Sequence, residues 1–163
     1  MGQEEAENRG KYYPLRINKL LYNHPLGMNL YGLNWSKRTI GIMKKAIIFE
    51  SEKSVLKYAS YFGWNNNISV ACCGSAVSVY QIQELLDCGA EEIIIAFDRQ
   101  FQEIDDKEFK HLKNNLLKIR SKFKNDVIIS FIFDKTMLTS YKASPIDEGS
   151  EKFLQLFKER IVL

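Results

Sequence analysis

The 163-residue chain has no apolar run approaching the roughly 20 residues that a membrane helix needs, which argues against a membrane-spanning helix and a membrane partner. Its first residues, Met1 to Glu7, are acidic and carry no apolar core, so they do not read as a signal peptide. Cysteine is scarce: Cys72, Cys73 and Cys88 form no C-x-x-C pair and no Cys/His pair at ligand spacing. This excludes a zinc ribbon and a disulfide-stapled secreted scaffold. The thiols are expected to be free, the protein cytoplasmic and the chain without zinc. Histidine is limited to His24, beside Pro25, and His111, among lysines. With no histidine base in reach, Ser75 is not read as a nucleophile. Repeats and low-complexity tracts are missing as well.

Acid is missing from one whole segment. Between Asn8 and Lys45 there are eight Lys/Arg residues and no Asp or Glu, whereas Ala46 to Leu163 is close to neutral. A one-signed stretch interleaved with Tyr12, Tyr13, Tyr22, Tyr31 and Trp35 fits a surface that meets a polyanion, its rings available to stack on bases. Pro14, Pro25, Gly27 and Gly32 punctuate this segment, which is expected to be irregular over 11–44. Residues 1–10 read as a disordered tail, and 45–163 as the one domain that this length allows.

From Lys45 onward strands and helices alternate. Apolar runs predict strands at about 45–50, 68–72, 92–97 and 126–133. Helical spacing predicts helices at about 52–63, 77–88, 106–124 and 149–160, the third capped by Asp105-Asp106. Alternation of this kind gives an α/β fold: about four parallel strands with helices on both faces. Two of the strands end on acids, Lys45-Ala-Ile-Ile-Phe-Glu50 and Glu92-Ile-Ile-Ile-Ala-Phe-Asp98. The carboxyl ends of parallel strands form the crevice where such folds bind ligands. Two carboxylates there repel unless a cation joins them. A hard divalent ion suits them, since Mg²⁺ typically takes one or two carboxylates plus substrate phosphates. Receiver domains also end strands on acids, but they need adjacent acids after the first strand and a further strand ending on lysine. Here Ser51 follows Glu50.

Glu50-Ser-Glu-Lys-Ser54 resembles the E-G-x-x-D motif of the TOPRIM domain, a compact Rossmannoid, and Asp98-Arg-Gln100 sits where that family carries D-x-D. Val70-Ala-Cys-Cys-Gly74-Ser75, with Gln81-Ile82 beyond, is similar to the second strand and glycine turn of the primase version. Tyr22-Asn-His-Pro25 with Leu30-Tyr31-Gly32-Leu33 resembles the segment before TOPRIM in DnaG-type primases. Lys142-Ala-Ser144-Pro145-Ile-Asp147-Glu-Gly149 resembles the D-P-x-D loop of phage primases. The resemblance runs from about Gly10 to the C-terminus.

The resemblance implies metal-dependent nucleotidyl transfer: RNA primers made on single-stranded DNA from nucleoside triphosphates in phage or plasmid replication, with Mg²⁺ or Mn²⁺. Glu50 would be a metal ligand or acid/base group, Asp98 the principal ligand, and Gln100 and Asp147 further ligands. Arg16 and Lys19 would hold template and phosphates, Gly74 and Ser75 the substrate side of the turn, and Lys142 the nucleotide. The chain is expected to be the C-terminal part of a primase, with a replicative helicase or a separate zinc-binding piece as partners. Two departures, Ser54 and Gln100 for family aspartates, remove charge and predict weaker metal binding. A TOPRIM nuclease and a non-catalytic nucleic-acid or replisome-binding module remain open alternatives.

Overall fold

The computed structural model describes residues 15–22, 25–123 and 127–162. The expected tail, residues 1–10, lies outside them.

Two apolar runs build the centre. β3 (Lys45–Phe49) and β5 (Glu92–Ala96) pair in parallel along their full length, from Lys45 opposite Glu92 to Phe49 opposite Ala96. Ile47, Ile48, Phe49, Ile93, Ile94 and Ile95 are inaccessible to solvent, as expected for strands covered on both faces. β4 (Ser69–Ala71) adds to the free side of β3, and β6 (Ile128–Phe131) to the free side of β5. A fifth strand, β7 (Ile161–Val162), closes the far edge antiparallel to β6, giving the order β4-β3-β5-β6-β7. Two residues are too short to show alternation, so this strand has no sequence signal. The chain leaves β3 to one side, for β4, and then crosses to the other, for β5. The strand order therefore reverses beside β3, and the crevice opens at the carboxyl ends of β3 and β5.

Helices α2 (Glu52–Phe62), α3 (Val79–Asp87), α4 (Lys107–Lys122) and α5 (Ser150–Lys158) follow in turn, covering both faces of the sheet. Asp106 caps α4 by accepting the Phe109 N–H at 2.6 Å. The turn after β4 does not open α3 at Gly74-Ser75. α3 starts at Val79, where Ser78 and Gln81 complete a capping box. Gln81 also donates to the carbonyls of Leu26 and Asn29, tying the upstream segment to the domain.

That upstream segment is more regular than its punctuation suggests. β1 (Leu15–Ile17) and β2 (Leu20–Tyr22) form a hairpin whose turn residues, Asn18 and Lys19, both have positive φ, 48° and 66°, as a two-residue hairpin turn requires. Helix α1 (Leu33–Met43) follows Gly32, at φ 86°. Gly41 reads as a breaker, yet it lies within α1 because the Cys88 carbonyl comes so close that a Cβ would sit 2.8 Å from it. Tyr31, just before α1, exchanges two backbone hydrogen bonds with Ala71 and so covers the outer edge of β4.

Candidate metal and phosphate cleft

Because β3 and β5 are adjacent and in register, their terminal acids are delivered to one place. The Asp98 N–H and the Gln100 side-chain amide both donate to Glu50 Oε1, each at 3.3 Å. Glu50 and Asp98 line one cleft of about 780 Å³, whose wall also includes Tyr31, Lys53, Gly74 and Lys142. A Cβ on Gly74 would meet nothing within 4 Å, so the floor beside the acids is open.

The electrostatics follow from this placement. Burial, and then the Asp98 charge, push the Glu50 carboxyl up to about 7, although the Asp98 N–H opposes the shift. Burial and the charge of Asp147 push Asp98 up to about 6, with Lys53 opposing. Asp98 Oδ1 is buried and has no hydrogen-bond partner. An anionic oxygen left without a donor, beside a second carboxylate, is a poor structural arrangement and a good cation site. Two protein carboxylates do not enclose an ion. They fit one whose shell is completed by water and substrate phosphate.

A pH dependence follows. Both carboxyls have folded-state values above their ordinary ones, 4.5 and 3.8. The folded chain therefore holds more protons than the unfolded chain between the ordinary and raised values, and stability falls as pH rises through about 6 and about 7. A divalent ion competes with those protons, so its affinity rises over the same interval and levels off above it. Thermal melts against pH, with and without Mn²⁺, will show the two slopes with opposite sign.

Asp147 stands apart from the two acids. Lys53 Nζ lies 3.0 Å from its Oδ2 and Lys57 Nζ 3.0 Å from its Oδ1, while the Ser144 N–H donates to Oδ2 at 3.1 Å. These donors outweigh burial and hold its carboxyl below the ordinary range. Lys53 and Lys57 are one helical turn apart on α2. That spacing, directly after Glu50, is the sequence signal that would have singled them out. Ser54, where the E-G-x-x-D motif ends, is fully buried and donates to Ser144 Oγ at 2.9 Å.

The loop carrying Lys142 and Asp147 is fixed by Arg99. Its N–H donates to the Ala143 carbonyl and its carbonyl accepts from the Lys142 N–H. Its buried guanidinium donates to the carbonyls of Thr139 and Phe101. Asp134 holds the other end of the loop through the Leu138 and Thr139 N–H groups. Lys142 thereby reaches the cleft with φ 62°. Ser75 lies on the turn after Gly74, where its carbonyl accepts from Asn115, and is not on the cleft wall. Lys19 is exposed in the β1–β2 turn, also off that wall, and the side chain of Arg16 lies outside the described residues. Tyr31 is on the wall and packs edge-on against Trp35, with ring centroids 5.7 Å apart. Tyr12, Tyr13 and the Tyr22 side chain lie outside the described residues. Among those residues no group of three His, Cys, Asp or Glu side chains is placed to hold a metal.

The sequence profile of the Toprim domain matches residues 45–134. Toprim domains generally bind divalent metals such as Mg²⁺. The chain is 37% identical over 168 residues to the SPbeta prophage-derived uncharacterized protein YorJ of Bacillus subtilis (strain 168), covering 99% of this chain and 44% of that protein. Among solved structures it is similar to the Aquifex aeolicus primase zinc-binding and RNA polymerase domains, with a TM-score of 0.60 and 22% identity over 86% of this chain and 32% of that one. It is also similar to the DnaG catalytic core, at 0.61 and 19% over 85% and 42%. The DnaG primase catalytic domain bound to ssDNA matches at 0.59 and 18%, over 85% and 41%. The chain thus spans less than half the length of each of these proteins.

Proposed function

The chain belongs to the Toprim family and shares the fold of primase catalytic cores, and on that footing we propose that it is a primase-type nucleotidyltransferase. Its substrates in this reading are a single-stranded DNA template and nucleoside triphosphates, in phage or plasmid replication in the cytoplasm. The observation that carries the reading is the convergence of Glu50 and Asp98 on one open cleft, with an unpartnered Asp98 oxygen between them and solvent.

In the reaction, the 3′-oxygen of a primer forms a bond to the α-phosphorus of the incoming nucleotide. The bond from that phosphorus to the bridging oxygen breaks, and pyrophosphate leaves. Asp98 and Glu50 would hold Mg²⁺ or Mn²⁺, which when bound neutralises phosphate charge and aligns the two oxygens. Glu50, raised to about 7, is poised to take the proton from the 3′-hydroxyl near neutral pH. Lys142 and Lys53 line the same cleft and supply ammonium groups for the triphosphate. Gly74 leaves room for the nucleotide, and Tyr31 offers a ring face to a base. Arg16, Lys19 and the other bases of the N-terminal segment would bind the template backbone, with a helicase or a zinc-binding piece as protein partners.

The test is incubation with single-stranded template, nucleoside triphosphates and Mn²⁺, beside a plasmid-nicking assay. Short RNA products that vanish in Glu50→Gln are expected. Nicking without products would replace this reading with a nuclease, and template binding without either would replace it with a binding module.

A further inference from the structure

We propose that the cleft takes one divalent ion rather than two, and that the Lys53–Asp147–Lys57 cluster occupies the place a second ion would need. The inference rests on the metal reading above and deepens it. A second divalent ion needs acid beyond the pair that holds the first, since affinity for hard cations follows ligand charge. Each position that might supply that acid is committed elsewhere.

Ser54 carries no charge, and its hydroxyl is engaged with Ser144 Oγ at 2.9 Å and Ser51 Oγ at 3.3 Å inside the junction of α2 and the loop. Gln100 turns its amide nitrogen, not its oxygen, toward Glu50 Oε1. Asp147 is the remaining acid, and each of its carboxylate oxygens has an ammonium 3.0 Å away. Lys57 also donates to the Asp147 carbonyl at 2.9 Å, so the pairing is anchored at two points. Asp147 with its two lysines carries a net positive charge. A dication approaching it would have to displace both ammonium groups, from a carboxylate whose own N–H bond to Ser144 fixes its orientation.

Lys53 is the member of the cluster that lines the cleft, alongside Glu50 and Asp98. Its ammonium is a point charge with three donors, a group that proteins use against phosphate oxygens. A cleft with one ion at the acids and one ammonium on the α2 side presents two positive centres to a triphosphate with only two protein carboxylates invested. Lys53 is thus assigned as a phosphate-binding residue, and Asp147 as the residue that positions it rather than as a metal ligand.

The experiment is a Mn²⁺ titration of the full chain, with free ion followed by electron paramagnetic resonance and bound ion by calorimetry. Saturation at one ion per chain is expected, and two ions per chain would overturn the inference while leaving the metal reading intact. A chain that binds no ion would sink the metal reading and the inference together. Asp147→Asn is expected to bind Mn²⁺ within about threefold of the unaltered chain, whereas Asp98→Asn is expected to lose about tenfold or more. A tenfold loss in a folded Asp147→Asn would make that residue a ligand and overturn the proposal. Inorganic triphosphate, titrated with Mn²⁺ present, is expected to bind Lys53→Gln about tenfold more weakly. Unchanged triphosphate affinity in that variant would overturn the assignment of Lys53.

Discussion

Replacing Asp98 by asparagine is expected to weaken divalent-ion binding and, at the same time, to stabilise the ion-free protein above pH 7. The two effects have one origin. The amide keeps the shape of the side chain but removes one of two negative charges in a cleft where both acids are held above their ordinary range, mainly by burial. Without the Asp98 charge, Glu50 loses one of the causes that raise it and shifts back toward 4.5, while burial still opposes the shift. Losing an outer partner of a metal site typically costs about 10–100-fold in affinity, and losing one of two carboxylate ligands should cost at least that much. Relief of buried charge acts on stability with the opposite sign, the trade-off expected where a site is held in a strained state for function. Calorimetry with Mn²⁺ and a thermal melt on the same preparation measure both. An Asp98→Asn chain that bound Mn²⁺ normally and melted earlier would mark the carboxylate as a structural group.

The largest loss of stability is expected at the opposite edge of the sheet, from Arg160→Leu. Glu92 begins β5 and is almost wholly buried, yet it is ionised because four donors reach it. Arg160 Nε and Ser130 Oγ lie 2.7 Å from Oε1, and Arg160 Nη2 and Lys45 Nζ lie 3.1 Å from Oε2. Breaking a buried pair by removing one partner costs about 3–5 kcal/mol, and the low end, about 3 kcal/mol, applies here because Lys45 and Ser130 remain. The same arginine stacks over Phe157 and precedes β7, so its loss also loosens the last strand.

The pH signature distinguishes this network from the cleft. Burial raises the Glu92 carboxyl, but the hydrogen bonds of Arg160, Ser130 and Lys45 outweigh it and hold it at about 2. Its folded value is thus depressed, so its contribution is present above the ordinary 4.5 and lost as pH falls from 4.5 toward about 2. The cleft acids do the reverse at higher pH. Chemical denaturation of Arg160→Leu at neutral pH should show the full loss, and near pH 2 the difference from the unaltered chain should shrink. Five strand residues, roughly 16 Å, separate this network from the cleft, so Mn²⁺ affinity should not change. A variant that kept its stability but lost the ion would place Arg160 in the site instead.

Much of the architecture was legible in the chain because parallel strands buried on both faces must be continuous apolar runs. Ala46-Ile-Ile-Phe49 and Ile93-Ile-Ile-Ala96 admit little else. The segment before β3 was not legible. Gly32 and Gly41 signal a break, and only the approach of the Cys88 carbonyl makes Gly41 a packing residue within α1. The β1–β2 hairpin turns on two residues with positive φ, Asn18 and Lys19, of which only asparagine advertises the conformation.

By itself the sequence determined that two strands of this protein end on acids, since composition along a strand fixes what its last residue carries. Only the tertiary structure decided that those strands are neighbours in register, which brings Glu50 and Asp98 together. Only it decided that Asp147, some fifty residues beyond Asp98 in the chain, is already neutralised by Lys53 and Lys57. Charge adds up along a sequence, but its effect depends on distance and burial, and both belong to the fold.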